Sequence, residues 1–167
     1  MKRSLVAILF TSGLLISTRA GADTWEAHGI SCQPDKADVA SLEYGQSGVF
    51  NTSTSATPKV YCPIEYISDL HPIDFHSTTI KLRYIDRATS DKVTCVLTIN
   101  GSDGQTIFTD TKTSPVGSSE ITQTFQWSIG TEIGGGRQLS IKCTLPKAGS
   151  SSGARSGIRG ITLETNV

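Results

Sequence analysis

The chain has 167 residues and carries 15 basic and 15 acidic side chains, so its formal net charge is zero. This length fits a single domain of ordinary size with one hydrophobic core. Because there is no cationic excess, the composition gives no electrostatic basis for binding nucleic acid or an anionic membrane surface, and we expect neither as a partner.

Residues 1–22 have the pattern of a secretory signal peptide. Lys2-Arg3 precedes an apolar run over residues 5–16, and Ala20-Gly21-Ala22 supplies the small residues of a cleavage site. The run is too short to span a bilayer, and no later stretch reaches the ~18 apolar residues of a transmembrane helix. We therefore predict a secreted or periplasmic mature domain, residues 23–167, without a transmembrane anchor.

The mature domain has four cysteines, Cys32, Cys62, Cys95 and Cys143. An even number of cysteines in an exported chain predicts two disulfide bonds, and the absence of C-x-x-C pairs argues against a structural zinc site or a redox motif. Four cysteines allow three connectivities. We favour Cys32 with Cys62 and Cys95 with Cys143, which closes the two shortest independent loops.

The alternation of apolar and polar residues predicts an all-β domain. Residues 33–41 are polar and predict a loop or a single helical turn, whereas from Lys59 onward apolar residues recur with a period of two. Asn100-Gly101 predicts a hairpin into a strand over residues 106–111, and the last predicted strand covers residues 158–164. The alternating positions predicted to share the faces of strands are Val60, Cys62, Ile64, Ile80, Leu82, Tyr84, Val93, Cys95, Leu97, Ile99, Ile121, Gln123, Phe125, Trp127, Ile129, Leu139, Ile141, Cys143 and Leu145.

Short strands separated by Gly, Ser, Asn and Asp turns indicate a two-layer antiparallel β-sandwich of seven to nine strands. The similar segments Val93–Leu97 and Ile141–Leu145 place one cysteine each among inward-facing apolar residues, which supports their pairing. Trp127 does not follow the first cysteine of this pair closely, as an immunoglobulin domain would require. A jelly-roll or another sandwich topology therefore stays open.

The densest cluster of potential metal ligands is Asp69, His71, Asp74 and His76. In an extended chain, residues two apart share a face, so each carboxylate and imidazole pair can point at one ion. Pro72 bends the chain between the two pairs, and a polar loop usually faces water. We therefore expect a solvated loop, with no bound metal and no cofactor.

The remaining side chains with catalytic or binding potential are predicted to be structural or solvated. Residues 149–153 match the G-x-S-x-G pattern of a nucleophilic serine, but all three histidines precede them, so we expect a flexible loop. Arg155 and Arg159 are expected to face water. Trp127 is expected in the core, and Trp25 is the tryptophan expected to be exposed.

Five short elements of the mature chain resemble a family of exported bacterial proteins of unknown function. They are Cys32, Val60-Tyr61-Cys62-Pro63-Ile64, Tyr84-Ile85-Asp86, Val93-Thr94-Cys95-Val96-Leu97, and Ile141-Lys142-Cys143-Thr144-Leu145-Pro146 with Ser156-Gly157-Ile158. The resemblance implies a bacterial source, and it transfers no catalytic residues.

These observations favour a non-catalytic exported domain that acts as a surface binding or structural module, with a protein or a glycan as its partner. The alternative is a secreted hydrolase or metal-dependent enzyme that uses the cluster from Asp69 to His76. Aromatic rings along an open face would favour binding, whereas convergence of the cluster in a pocket would favour the enzyme.

Overall fold

The structure is a computed structural model that describes residues 23–64, 77–89, 91–115, 121–130, 137–150 and 154–166. The predicted signal peptide and the cluster from Asp69 to His76 lie outside these ranges and stay predictions. None of the helical segments in the described ranges is long and apolar enough to cross a bilayer.

The described chain contains eleven β-strands and two 3₁₀ turns, Gly29–Ser31 and Val39–Ser41, and no α-helix. The strands are β1 (Asp23–His28), β2 (Gln33–Pro34), β3 (Leu42–Gly45), β4 (Gly48–Asn51), β5 (Lys59–Ile64), β6 (Ser77–Ile85), β7 (Thr94–Asn100), β8 (Thr106–Thr113), β9 (Gln123–Ile129), β10 (Gln138–Thr144) and β11 (Gly157–Asn166).

All strand pairs are antiparallel, and they form a two-layer sandwich. Sheet A has the order β3-β4-β11-β6-β9, with β1 also paired to β11, and sheet B has the order β2-β5-β10-β7-β8. Strand β4 pairs with β11, β5 with β10, β6 with β9 and β7 with β8, so the chain from β4 to β11 is one nested hairpin. Rolling this hairpin into two sheets gives the strand order of a jelly roll. Its tip is the turn between β7 and β8, which the sequence predicted at Asn100-Gly101.

The core lies between the two sheets and contains most of the alternating residues that the sequence predicted. Among the apolar ones, Ile121 is the exception, because it precedes β9 and is 76% exposed. Trp127 is buried, as expected, beside Phe125, whose ring stacks on that of Tyr84 with centroids 4.1 Å apart. Both predicted disulfides are present. Cys95 and Cys143 are register partners on β7 and β10, and Cys32 joins the chain before β2 to Cys62 on β5. Each bridge is buried and closes a loop of the unfolded chain, which stabilises the fold.

The prediction of seven to nine strands was too low. The additional strands are the four that lie before Lys59, of which β1 has six residues, β2 has two, and β3 and β4 have four each. Strands β2, β3 and β4 contain too few alternations to be recognised from a period of two, and β1 has only two apolar residues, Trp25 and Ala27. The polar residues 33–41 contain β2 as well as the expected helical turn.

A β-bulge on β11 lets this strand serve two neighbours along the same edge. Ile158 pairs with β4, whereas from Gly160 onward the strand pairs with β1, and the register with β6 shifts between these two residues. A β-carbon on Gly29 or Gly48 would lie 2.2 or 2.1 Å from the Ile158 carbonyl oxygen, and Gly48 has a φ of +137°. Both positions therefore require glycine.

A buried carboxylate, Asp86, ties together the end of the sandwich at which β6 ends and β7 begins. It is 1% exposed and accepts hydrogen bonds from the Ala88 and Val93 amides at 3.1 and 3.2 Å, from the Ser156 hydroxyl at 2.9 Å and from the Ser114 hydroxyl. Four segments thus share one acceptor group, which satisfies the buried charge.

Asn51 on β4 is a second buried polar group and is 0% exposed. Its amide nitrogen donates to the Ala56 and Pro146 carbonyls at 2.9 and 2.7 Å, and its amide oxygen accepts from the Ser53 amide at 2.8 Å. Asn51 begins an Asn-x-Ser sequon. Because its nitrogen is enclosed and uses both hydrogens, the folded domain cannot be glycosylated there.

Candidate ligand-binding site

Two pockets adjoin at one end of the sandwich, where β5, β7 and β9 end and β8 and β10 begin. The larger has a volume of about 390 Å³ and the smaller about 270 Å³. Arg137, directly before β10, lines both pockets and therefore stands between them. Together they reach the size range of small-molecule sites, about 300–1,000 Å³.

The larger pocket combines an apolar floor with a polar rim. Ile64 and Leu139, register partners on β5 and β10, are buried and form the floor. Asn100 and Gln138 pair across β7 and β10 and, with Ser140, bring amide and hydroxyl groups to the rim. The Asn100 side-chain oxygen accepts a hydrogen bond from the Thr106 hydroxyl at 3.0 Å, which fixes the orientation of its amide.

The smaller pocket opens between the edge strands β8 and β9, which belong to different sheets. Its inner wall contains the buried Ile99 and Ile129, and its outer wall contains Ile107 and Phe108, which are 45% and 38% exposed. Ile99 pairs with Phe108 and Asn100 with Thr106, so Ile107 is the extra residue of a bulge. The bulge presents two consecutive apolar side chains to one opening, a use of bulges that recurs next to binding sites.

Arg137 is the charged group of the site. It is half-buried and makes no ion pair or side-chain hydrogen bond in the described part of the chain. A planar guanidinium offers five hydrogen-bond donors in a fixed geometry, so it can bind neighbouring oxygen atoms of a ligand. The apolar side chains on either side can contact the carbon atoms of the same ligand. The arrangement is suited to binding an elongated polar molecule that has apolar faces.

Among the aromatic side chains that the structure describes, the exposed ones lie on three different strands. Trp127 is in the core, and Tyr44, Tyr61 and Phe108 are exposed on β3, β5 and β8, respectively. Burial raises the pKa of Tyr44, and the Lys142 ammonium lies 5.1 Å from the centroid of the Tyr61 ring on the outer face of sheet B. The side chain of Trp25 lies outside the description, so its predicted exposure stays a prediction.

The residues that the sequence analysis considered as metal or anion ligands are not among the residues that line the site at Arg137. The described residues contain no group of three or more His, Cys, Asp or Glu side chains arranged to hold a metal, and the cluster from Asp69 to His76 stays untested. Arg155 is ion-paired with Glu43, and Arg159 lies on the bulge of β11.

Sequence reasoning missed Arg137, Ile107 and Phe108. A signal for the last two exists, because Ile107-Phe108 breaks the alternation of an otherwise Thr-rich strand, as a bulge does. Arg137 follows three consecutive glycines in the sequence and carries no local signal.

No family model and no curated protein matches the chain. Among solved structures it is similar to CBM35 from Cellvibrio japonicus Abf62, with 15% identity, a TM-score of 0.48 and coverage of 84% of this chain and 92% of that one. It is also similar to the xylan-binding module CBM15, with 10% identity, a TM-score of 0.47 and coverage of 87% and 97%. The infectious bursal disease virus VP2 subviral particle has 13% identity and a TM-score of 0.46, over 87% of this chain and 33% of that one. These likenesses concern the β-sandwich fold alone.

Proposed function

We propose that this chain is an exported, non-catalytic binding module that holds a neutral sugar chain in the two pockets at Arg137. The observation that carries the proposal is that two adjoining pockets with apolar surfaces share one guanidinium, which makes no ion pair or side-chain hydrogen bond with the described residues. The groups at the rim are amides, hydroxyls and a guanidinium, which bind by hydrogen bonding, so we assign binding and no chemical step.

A sugar chain fits this combination of surfaces. A pyranose ring has C–H faces that pack on apolar and aromatic side chains such as Ile107 and Phe108, and a belt of hydroxyl groups that need donors and acceptors. Asn100, Gln138 and Arg137 supply planar polar groups that bond two neighbouring hydroxyls at once. Because the two pockets share Arg137, a ligand of two or more units can occupy both.

The buried disulfides support an extracellular or periplasmic location. Bridges of this kind form and persist in oxidising compartments, which agrees with the predicted signal peptide. A module that binds sugar polymers functions in the compartment where such polymers occur, the cell surface or the medium.

The test uses the oxidised mature domain and a panel of neutral soluble polysaccharides, by affinity electrophoresis and then by calorimetry with oligosaccharides of the polymer that binds. We expect Arg137→Ala and Phe108→Ala each to weaken binding about tenfold or more, since a hydrogen bond to a charged group and a packed ring each contribute on that scale. The matched controls are Lys92→Ala, an exposed cation where β7 begins, and Thr109→Ala, the next residue of β8. Both should bind like the parent.

Two results would refute the proposal. One is a panel in which no polysaccharide retards the domain. The other is a polysaccharide that binds equally well to the Arg137 and Phe108 variants, which would place the sugar elsewhere on the surface.

A further inference from the structure

The outer face of sheet A holds a cluster of basic residues around one glycine. Gly160 on β11 is the register partner of His28 on β1 and of Arg83 on β6. The β11 bulge inserts Arg159 directly before Gly160, so that Arg159 and Gly160 together oppose Arg83. Three basic residues therefore meet at one row of the sheet, although they are far apart in the sequence.

Gly160 leaves the space that the Arg83 side chain occupies. A β-carbon at this position would lie 3.0 Å from Nη2 and 3.5 Å from Nε of Arg83, and 3.1 Å from the Ala27 carbonyl oxygen. The Arg83 guanidinium thus lies across the backbone of the glycine.

Two carboxylates of this face form ion pairs with other residues, and a third, Glu26, accepts a hydrogen bond. Glu164 pairs with Lys81 at 2.6 Å, Glu43 pairs with Arg155, and Glu26 accepts a hydrogen bond from the Thr162 hydroxyl at 3.4 Å. Within the described ranges, no carboxylate forms an ion pair with Arg83, Arg159 or His28.

Arg159 has a buried hydrogen-bond donor that the described residues do not satisfy. Its Nε is buried and has no hydrogen-bond partner in the described part of the chain, and a buried donor without an acceptor is unfavourable. The oxygen atoms of a tetrahedral anion match the fork of a guanidinium, and two arginines with an imidazole can surround one such group.

We propose that Arg83, Arg159 and His28 form a binding site for a sulfate or phosphate group at Gly160. The site lies on β1, β6 and β11 and is separate from the pockets at Arg137, which lie where β10 begins and in the gap between β8 and β9. Free inorganic anions and anionic groups on a polysaccharide share this chemistry, so the experiment uses both as probes.

Binding of sodium sulfate, sodium phosphate and a sulfated polysaccharide is measured by calorimetry on the oxidised mature domain, at a constant ionic strength set with chloride. The desulfated form of the same polysaccharide is the reference for the polymer without its anions. We expect Arg83→Gln and Arg159→Gln each to raise the Kd of the probes that bind by about tenfold. Lys59→Gln removes one exposed positive charge from the other sheet and should change the Kd less than about twofold.

Gly160→Ala keeps every charge and adds one methyl group, which would lie against the Arg83 guanidinium and the Ala27 carbonyl oxygen. We expect it to weaken anion binding as well, because its methyl group displaces the guanidinium, whereas an electrostatic attraction without a built site would be unaffected. If this variant does not fold, the two Arg→Gln variants decide alone. Equal losses in Arg83→Gln, Arg159→Gln and Lys59→Gln, or no binding of any of the anionic probes, would overturn the proposal.

Discussion

The clearest test of the fold is removal of the Asp86 carboxylate. It accepts four hydrogen bonds, from two backbone amides and from the Ser114 and Ser156 hydroxyls. In Asp86→Ala these donors lose their common acceptor, although the Val93 amide keeps a bond to the Ser114 hydroxyl at 3.0 Å.

The expected cost follows from two opposing terms. Four hydrogen bonds to a charged group, at about 2 kcal/mol each, amount to about 8 kcal/mol. The variant no longer buries a charge, so the desolvation penalty of the carboxylate, several kcal/mol, no longer destabilises the folded state. We therefore expect Asp86→Ala to lower the free energy of unfolding by about 4 kcal/mol, a large part of the 5–15 kcal/mol that is typical of a domain. Asp86→Asn keeps one acceptor oxygen and should cost about half as much.

The measurement is equilibrium unfolding in urea near neutral pH, with both disulfides oxidised and with the fluorescence of the buried Trp127 as the probe. Asp91→Ala is the matched control, because Asp91 is exposed in the segment between β6 and β7, and it should stay within about 0.5 kcal/mol of the parent. A loss below about 1 kcal/mol in Asp86→Ala, with an unchanged m-value, would show that the carboxylate does not hold these segments together.

Three further changes test the remaining supports of the fold. Replacing Cys95 and Cys143 by Ala should lower the free energy of unfolding by about 4 kcal/mol, because the bridge closes a loop of 48 positions in the unfolded chain. Urea unfolding of this variant and of the oxidised parent measures the difference. A loss below about 1 kcal/mol would contradict the idea that the bridge acts by restricting the unfolded chain. Burial, and then the charge of Asp86, raises the pKa of Tyr84 above its usual 10. The neutral ring therefore stabilises the fold below pH 10, and this contribution is lost as the pH rises through the folded-state pKa. The free energy of unfolding, measured from about pH 8 to 11, should fall less in Tyr84→Phe than in the parent, and an equal fall in both proteins would disprove the reasoning. Leu97→Asp should prevent folding by burying an unpaired charge, whereas Thr98→Asp on the outer face should be mild. Circular dichroism of the purified proteins compares them, and equal tolerance would mean that the assignment of inward and outward residues on β7 is wrong.

The sequence alone determined the fold class, the core strands and the hairpin turn. A period of two is a local property, because alternate residues of a strand face opposite sides whatever the strand pairs with, and the buried positions of β5, β7, β9 and β10 follow from it. The turn composition that follows Asn100 is equally local, and the hairpin was predicted correctly, but the positive φ of this turn is at Gly104 (+78°) and not at Asn100 or Gly101. Both disulfides followed from cysteine count and loop length, although three connectivities were open in principle.

Only the tertiary structure decided the jelly-roll order and the two proposed sites. Strand order depends on pairings between distant segments, such as β4 with β11, and no local pattern records which strands become neighbours. Arg137 gains its significance because residues from five strands surround it. Arg83 and Arg159 are 76 positions apart and meet because one extra residue in β11 shifts the register. A bulge of this kind is an exception to alternation, so the periodicity that predicts the strands cannot reveal what the bulge brings together.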